Sequence, residues 1–117
     1  MGKGKQPQKK ELDLNKGKVD AVVKVQAQEC RHILVEKQAL ALQLSKQIDE
    51  GGITFNECAR LNSIDKAGRS GLLGWKTKAE LDPQFWEAAL TVKEGDWLRE
   101  PVKTQWGYHL IMVQSRK

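Results

Sequence analysis

Residues 30–52, CRHILVEKQALALQLSKQIDEGG, change periodicity partway along. Up to Val35 the run is apolar on both faces of an extended chain: alternation places Cys30, His32 and Leu34 on one side and Arg31, Ile33 and Val35 on the other. Beyond Glu36 the period lengthens, with Leu40, Leu44 and Ile48 recurring every fourth residue until Gly51 and Gly52 stop the helix. A strand apolar on both faces belongs inside a sheet covered on both sides, and the helix that follows it supplies one cover. Upstream, AVVKVQAQE extends the strand reading back to Ala21.

Working outward, TFNE at residues 54–57 carries a helix start, with Thr54 at the N-cap and Glu57 at N3, opening a second short helix through Cys58, Ala59 and Leu61. Gly68, Gly71 and Gly74 interrupt any helix in the next stretch and leave a loop with a short strand at Leu72 to Trp75. DPQFWEAAL restarts a helix, with Asp82 as N-cap and Pro83 at N1. After Gly95, WLREPVKT and GYHLIMVQS read as two strands joined by a turn at Gln105 to Gly107. The order predicts an α+β fold: a four-stranded, mostly antiparallel sheet surrounded by about four helices.

At 117 residues the chain is the size of one domain, so one site is expected. The net charge of +5 suggests a nucleic-acid partner until it is divided along the chain. Residues 1–18 carry six lysines against Glu11 and Asp13, and the remaining 99 residues are close to neutral at +1. Residues 1–19 are therefore expected to form a flexible basic arm and residues 20–117 the folded domain. The arm is read either as a solvated tail or as a weak contact to nucleic acid or an acidic partner. No apolar run reaches the roughly 20 residues of a spanning helix, and MGKGKQPQKK lacks the apolar stretch of a secretory signal. The expectation is a monomer in the cytoplasm or nucleus, without membrane contact, in which Cys30 and Cys58 stay reduced.

Both histidines, His32 and His109, fall on strands apolar on both faces, which makes those strands central. If their faces coincide, the two imidazoles hydrogen-bond to each other and fix each other's tautomers. They then serve either as satisfied core groups or as part of a site. A metal set of Cys30, His32, Cys58 and His109 lacks any C-x-x-C or H-x-x-x-H pair, so neither a metal nor another cofactor is expected. A covalent mechanism is not expected either, since residues i and i+2 of a strand, such as Cys30 and His32, point in parallel, and Ser63 and Ser70 have no elbow motif. Asp65 lies in the glycine-bearing loop as an acid with no helical partner by spacing. Leu73, Leu81, Phe85 and Trp106 read as core or pocket.

Taken in order, RHILVEKQAL, GGITFNECARLNSIDKAGRSGLLGWKTKAELDPQFWEAAL and EPVKTQWGYHLIMVQSRK resemble the parvulin family of peptidyl-prolyl cis-trans isomerases over residues 25–117. A basic arm leading directly into the domain, with no WW module, is similar to small eukaryotic parvulins that do not require phosphorylated substrates. The resemblance implies that His32 and His109 are the family's paired histidines. It gives Asp65 the position of a catalytic-site Cys or Asp, and Thr104 that of a hydroxyl beside the histidines. Leu73, Leu81 and Phe85 match positions that grip the substrate proline ring, and Trp106 stands where close relatives have Phe. It implies proline-containing peptides and proteins as substrates, with roles in folding or conformational switching. A non-catalytic proline-peptide module, or a nucleic-acid-associated protein acting through the arm, are the alternatives. Ser70 replaces a glycine of many relatives, so a positive φ there is expected to be strained.

Overall fold

The computed structural model describes residues 25–66 and 70–117; the expected arm at residues 1–19 and the start of the extended segment at Ala21 lie outside the described residues. The chain runs β1 (Gln28–Val35), α1 (Gln38–Asp49), α2 (Phe55–Asn62), β2 (Leu72–Lys76), a 3-10 turn (Lys78–Glu80), α3 (Pro83–Leu90), β3 (Asp96–Thr104) and β4 (Gly107–Arg116). The strands form one sheet in the order β2-β1-β4-β3, and every neighbouring pair is antiparallel. The described residues hold three α-helices, one fewer than the about four expected, and the single 3-10 turn lies in the stretch expected to be loop.

β1 and β4 are the inner strands, which accounts for their apolar character on both faces. On one face Ile33, Val35 and Leu110 pack with Ala41 and Leu44 of α1 and Phe55, Cys58 and Ala59 of α2. On the other, Cys30, Ile111 and Val113 pack with Phe85 and Ala89 of α3 and with Val92. Alternation along a strand thus sends successive residues into two separate cores.

α1 sits differently from its leucine spacing. Leu40 is exposed, and the buried stripe is Ala41, Leu44 and Ser45, with Ile48 partly buried. Two small side chains let the helix axis approach the sheet, and the Ser45 hydroxyl donates to the Arg99 carbonyl of β3 at 2.7 Å. Four-residue spacing locates an apolar stripe only to within about one position, and the shape of the surface beneath decides between neighbours.

The predicted caps are present. Thr54 accepts from the Glu57 N–H at 3.1 Å, while the Glu57 carboxylate turns to Arg60, so the helix start has one half of the anticipated reciprocal pair. Asp82 accepts from the Gln84 N–H at 2.9 Å, with Pro83 opening α3. A hairpin closes at the Thr104–Gly107 pair. Gly107 has φ of +137°, and a β-carbon there would stand 2.6 Å from the Val35 carbonyl oxygen, so the turn packs against the end of β1 only as glycine. Pro101, which lacks an N–H, lies where the β3–β4 register shifts between Leu98 and Val102.

Candidate active site

Because His32 and His109 share the α3 face of adjacent strands, their rings meet. The register sets Leu34 opposite His109 and His32 opposite Ile111, so the histidines are diagonal neighbours. Their rings stack with centroids 5.1 Å apart, and the two Nδ1 atoms are 2.9 Å from each other. Each ring has a further partner: His32 Nε2 lies 2.7 Å from a carboxylate oxygen of Asp65, and His109 Nε2 lies 2.7 Å from the Thr104 hydroxyl. Thr104 in turn accepts from the Trp106 N–H at 3.2 Å.

This chain of contacts has a direction. A carboxylate only accepts, so an ionised Asp65 requires the His32 proton on Nε2. His32 Nδ1 is then an acceptor, His109 Nδ1 donates to it, and Thr104 donates to His109 Nε2. Every donor meets an acceptor with both imidazoles neutral, and a second proton on His32 would set two donors against each other across the Nδ1 pair. Burial pushes the His32 pKa below its usual 6.5, against the opposing pull of Asp65, and burial together with the neighbouring His32 pushes His109 down to about 4.

The sign of the pH dependence follows. Unfolding returns both histidines to about 6.5, so below that pH the unfolded chain binds protons that the folded chain refuses. The contribution of His109 is complete above pH 6.5 and is lost as the pH falls from there toward 4, and that of His32 is lost in the same direction. The expected decline from His109 is up to about 1.4 kcal/mol per pH unit, read as a falling urea midpoint between pH 7 and 5. A midpoint that stays level, or rises, across that window would contradict neutral, buried imidazoles.

Above the histidines opens a pocket of about 440 Å³. His32, Asp65, Leu73, Leu81, Phe85, Trp106 and His109 line it, so seven of the eight residues anticipated from sequence converge there. The eighth, Thr104, is buried behind His109 and touches two lining residues, the His109 ring and the Trp106 backbone. Phe85 stands edge-on to both imidazoles, with centroid distances of 5.8 Å to His32 and 5.2 Å to His109. Leu34, Ile64, Glu80 and Asp82 complete the lining and were not singled out as site residues by sequence reasoning. Asp82 is at once the N-cap of α3 and part of the pocket lining. Ile64 is half-exposed at the rim, and only its position before Asp65 could have pointed to it.

Neither cysteine offers a nucleophile to the pocket. The Cys30 thiol is fully buried, and desolvation raises its pKa to about 11, which keeps it protonated. Cys58 belongs to the opposite face, which separates the four residues of the hypothetical metal set. No group of three or more metal-ligating side chains occurs among the described residues.

Ser70 has a φ of +50°, a strained conformation for a residue with a side chain, worth about 1 kcal/mol or more. It is held in the turn that leads into β2, and its carbonyl accepts from Arg31 Nη1 at 3.1 Å.

The same fold occurs among solved structures, and the sequence matches a known family. Residues 22–115 match the model of the Rotamase family, the PPIC-type PPIase domain. Peptidyl-prolyl cis-trans isomerase PIN4 of Gibberella zeae is 46% identical over 91 residues, which span 74% of this chain and 67% of that protein. The corresponding pin4 of Emericella nidulans is 40% identical over 108 residues, 90% of this chain and 81% of its own. Among solved structures, NmPin, the parvulin of Nitrosopumilus maritimus, superposes with a TM-score of 0.66 at 35% identity, over 77% of this chain and 97% of that one. With matches extending over nearly the whole described domain, this chain belongs to the PPIC-type rotamase family and is a parvulin-type peptidyl-prolyl cis-trans isomerase.

Proposed function

We propose that the pocket turns X-Pro bonds without a covalent intermediate and without a phosphate on the substrate. The observation that carries this reading is the neutral, directionally bonded row Thr104–His109–His32–Asp65 beneath an apolar cup. Rotation about an X-Pro bond breaks no covalent bond; its barrier of about 20 kcal/mol is lost amide resonance. A site lowers that barrier by fitting the twisted amide better than either planar isomer, about 1.4 kcal/mol for each tenfold in rate. Leu73, Leu81, Phe85 and Trp106 grip the proline ring while the preceding carbonyl swings. Asp65 and the imidazoles set the polarity around the moving oxygen, and Thr104 holds the His109 tautomer.

The absence of a phosphate requirement is supported by charge. The charged side chains lining the pocket among the described residues are Asp65, Glu80 and Asp82, all acidic. A phosphoserine beside them meets like charge in place of an arginine fork. Exchange NMR on Ser-Pro and phosphoSer-Pro peptides is expected to show isomerisation of the unmodified peptide at least several-fold faster at low salt. Faster turnover of the phosphopeptide would overturn this part of the reading, and peptide binding without accelerated exchange would overturn catalysis itself.

The substrates in this reading are proline-containing peptides and proteins, with the activity serving folding or conformational switching. In this reading the protein acts as a monomer, and the two buried free thiols fit a cytoplasmic or nuclear setting. The lysines of residues 1–18 supply a separate electrostatic contact to nucleic acid or an acidic partner. Salt-sensitive DNA binding that vanishes on deletion of residues 1–18 is its signature.

A further inference from the structure

Ser63 follows α2 as its C-cap and is 2% exposed, far too buried to meet a substrate. Its hydroxyl oxygen nevertheless accepts two backbone donors from different parts of the chain: the Leu34 N–H of β1 at 3.0 Å and the Asp65 N–H at 3.3 Å. Between them the Ile64 N–H donates to the Leu34 carbonyl at 2.8 Å.

These contacts finish an edge that β2 leaves open. The β1–β2 ladder ends at Arg31, and the Gly71 carbonyl takes the next N–H on that edge, from His32, at 2.9 Å. Two residues further along, where the same edge again presents a donor and an acceptor, Ser63 and Ile64 take the place of a strand. The loop is thereby fastened to β1 beside the residue preceding Val35, and its next residue, Asp65, reaches back to His32 Nε2 at 2.7 Å. Any drift of the loop along β1 would move that carboxylate off the imidazole.

We infer that Ser63 is a positioning residue for the isomerase: its hydroxyl holds the Asp65 backbone against β1 so that the carboxylate meets His32. The inference rests on the role given to Asp65 above. It differs from a purely structural role because a lost buried hydrogen bond lowers stability wherever it occurs, whereas a displaced Asp65 also changes the electronic state of His32.

The test compares Ser63→Ala and Ser63→Cys with wild type, Asp65→Ala and Ser45→Ala. Ser63→Cys fills the position with a somewhat larger atom and a much weaker acceptor, and it is the second variant to measure if the alanine variant unfolds. Ser45 is another buried serine, bonded to the Arg99 carbonyl on the face away from the pocket. Turnover of an Ala-Pro peptide is measured per folded molecule, together with the ¹⁵N resonances of His32. The Ser63 variants are expected to lose about tenfold in kcat with KM within twofold of wild type, and to shift the His32 Nε2 resonance. Adding Ser63→Ala to Asp65→Ala should cost no further turnover. Ser45→Ala should lose stability while retaining kcat and the His32 resonance. A folded Ser63 variant with wild-type kcat and an unmoved His32 resonance overturns the inference. Wild-type turnover in Asp65→Ala would instead overturn the reading of the site on which it rests.

Discussion

Phe85→Ala is expected to lower kcat/KM for X-Pro isomerisation by about 100-fold per folded molecule, equivalent to about 2.8 kcal/mol of transition-state stabilisation. Phe85 has two roles at once. Its ring lines the pocket, where the proposed function has it hold the substrate ring, and it is only 2% exposed because it belongs to the core under α3 together with Cys30 and Ala89. It also packs steeply inclined against both imidazoles, so its removal admits water beside the hydrogen bonds that fix their tautomers. Truncation of a buried phenylalanine typically destabilises by about 3–5 kcal/mol, so turnover must be normalised to the folded fraction measured by circular dichroism. Phe85→Leu, which keeps an apolar wall, should recover most of the stability and part of the activity. Full activity in folded Phe85→Ala would remove Phe85 from the site.

Gly71→Ala is expected to cost at least about 3 kcal/mol of stability, combining backbone strain with a collision. Gly71 has φ of +80°, and a β-carbon there would lie 2.2 Å from the carbonyl oxygen of His32 and 3.1 Å from the Ala59 side chain. The obstructing atom is backbone, so it cannot rotate aside as the tip of a side chain would. Because that backbone belongs to His32, whatever movement relieves the clash also displaces an imidazole, and turnover should fall along with stability. Gly51 provides the control: its φ is +82°, with nothing within 4 Å of the added atom, so Gly51→Ala should cost only the strain, about 1 kcal/mol. Urea midpoints for the two variants decide the matter. Equal losses would mean that the close approach at Gly71 carries no energetic weight.

The sequence was most informative where a local rule decides a local outcome. The change of period between Val35 and Leu40 located β1 and α1, and Thr54, Asp82 and Pro83 marked helix starts, because caps depend on neighbours within three residues. Alternation correctly assigned the faces of His32 and His109, since the side-chain period of a strand is two. The motif order then joined Asp65, Thr104 and the apolar residues to them, which no local rule could have done. What stayed hidden depends on contacts across the fold. The preference for Ala41 over Leu40 on the buried side of α1 is set by the sheet surface beneath it. Glu80 and Asp82 join the pocket through the path taken between β2 and α3. Ser63 is invisible as a positioning group because an isolated serine after a helix has many ordinary explanations. Its use emerges only when Leu34, 29 positions away, brings its N–H to the hydroxyl.

The two-faced construction of β1 and β4 has a bearing on how such a protein can diversify. Ile33, Val35 and Leu110 belong to the core beneath α1 and α2, while His32 and His109, interleaved with them along the same two strands, face α3 and the pocket. Repacking under α1 can therefore tune heat resistance through one set of positions, and Leu73, Leu81 and Trp106 can vary to suit new polypeptides through another. Along β1 and β4 themselves, the codons for Ile33, Val35 and Leu110 answer to core packing and the interleaved ones for His32 and His109 to the pocket, so adaptation of one trait need not obstruct the other.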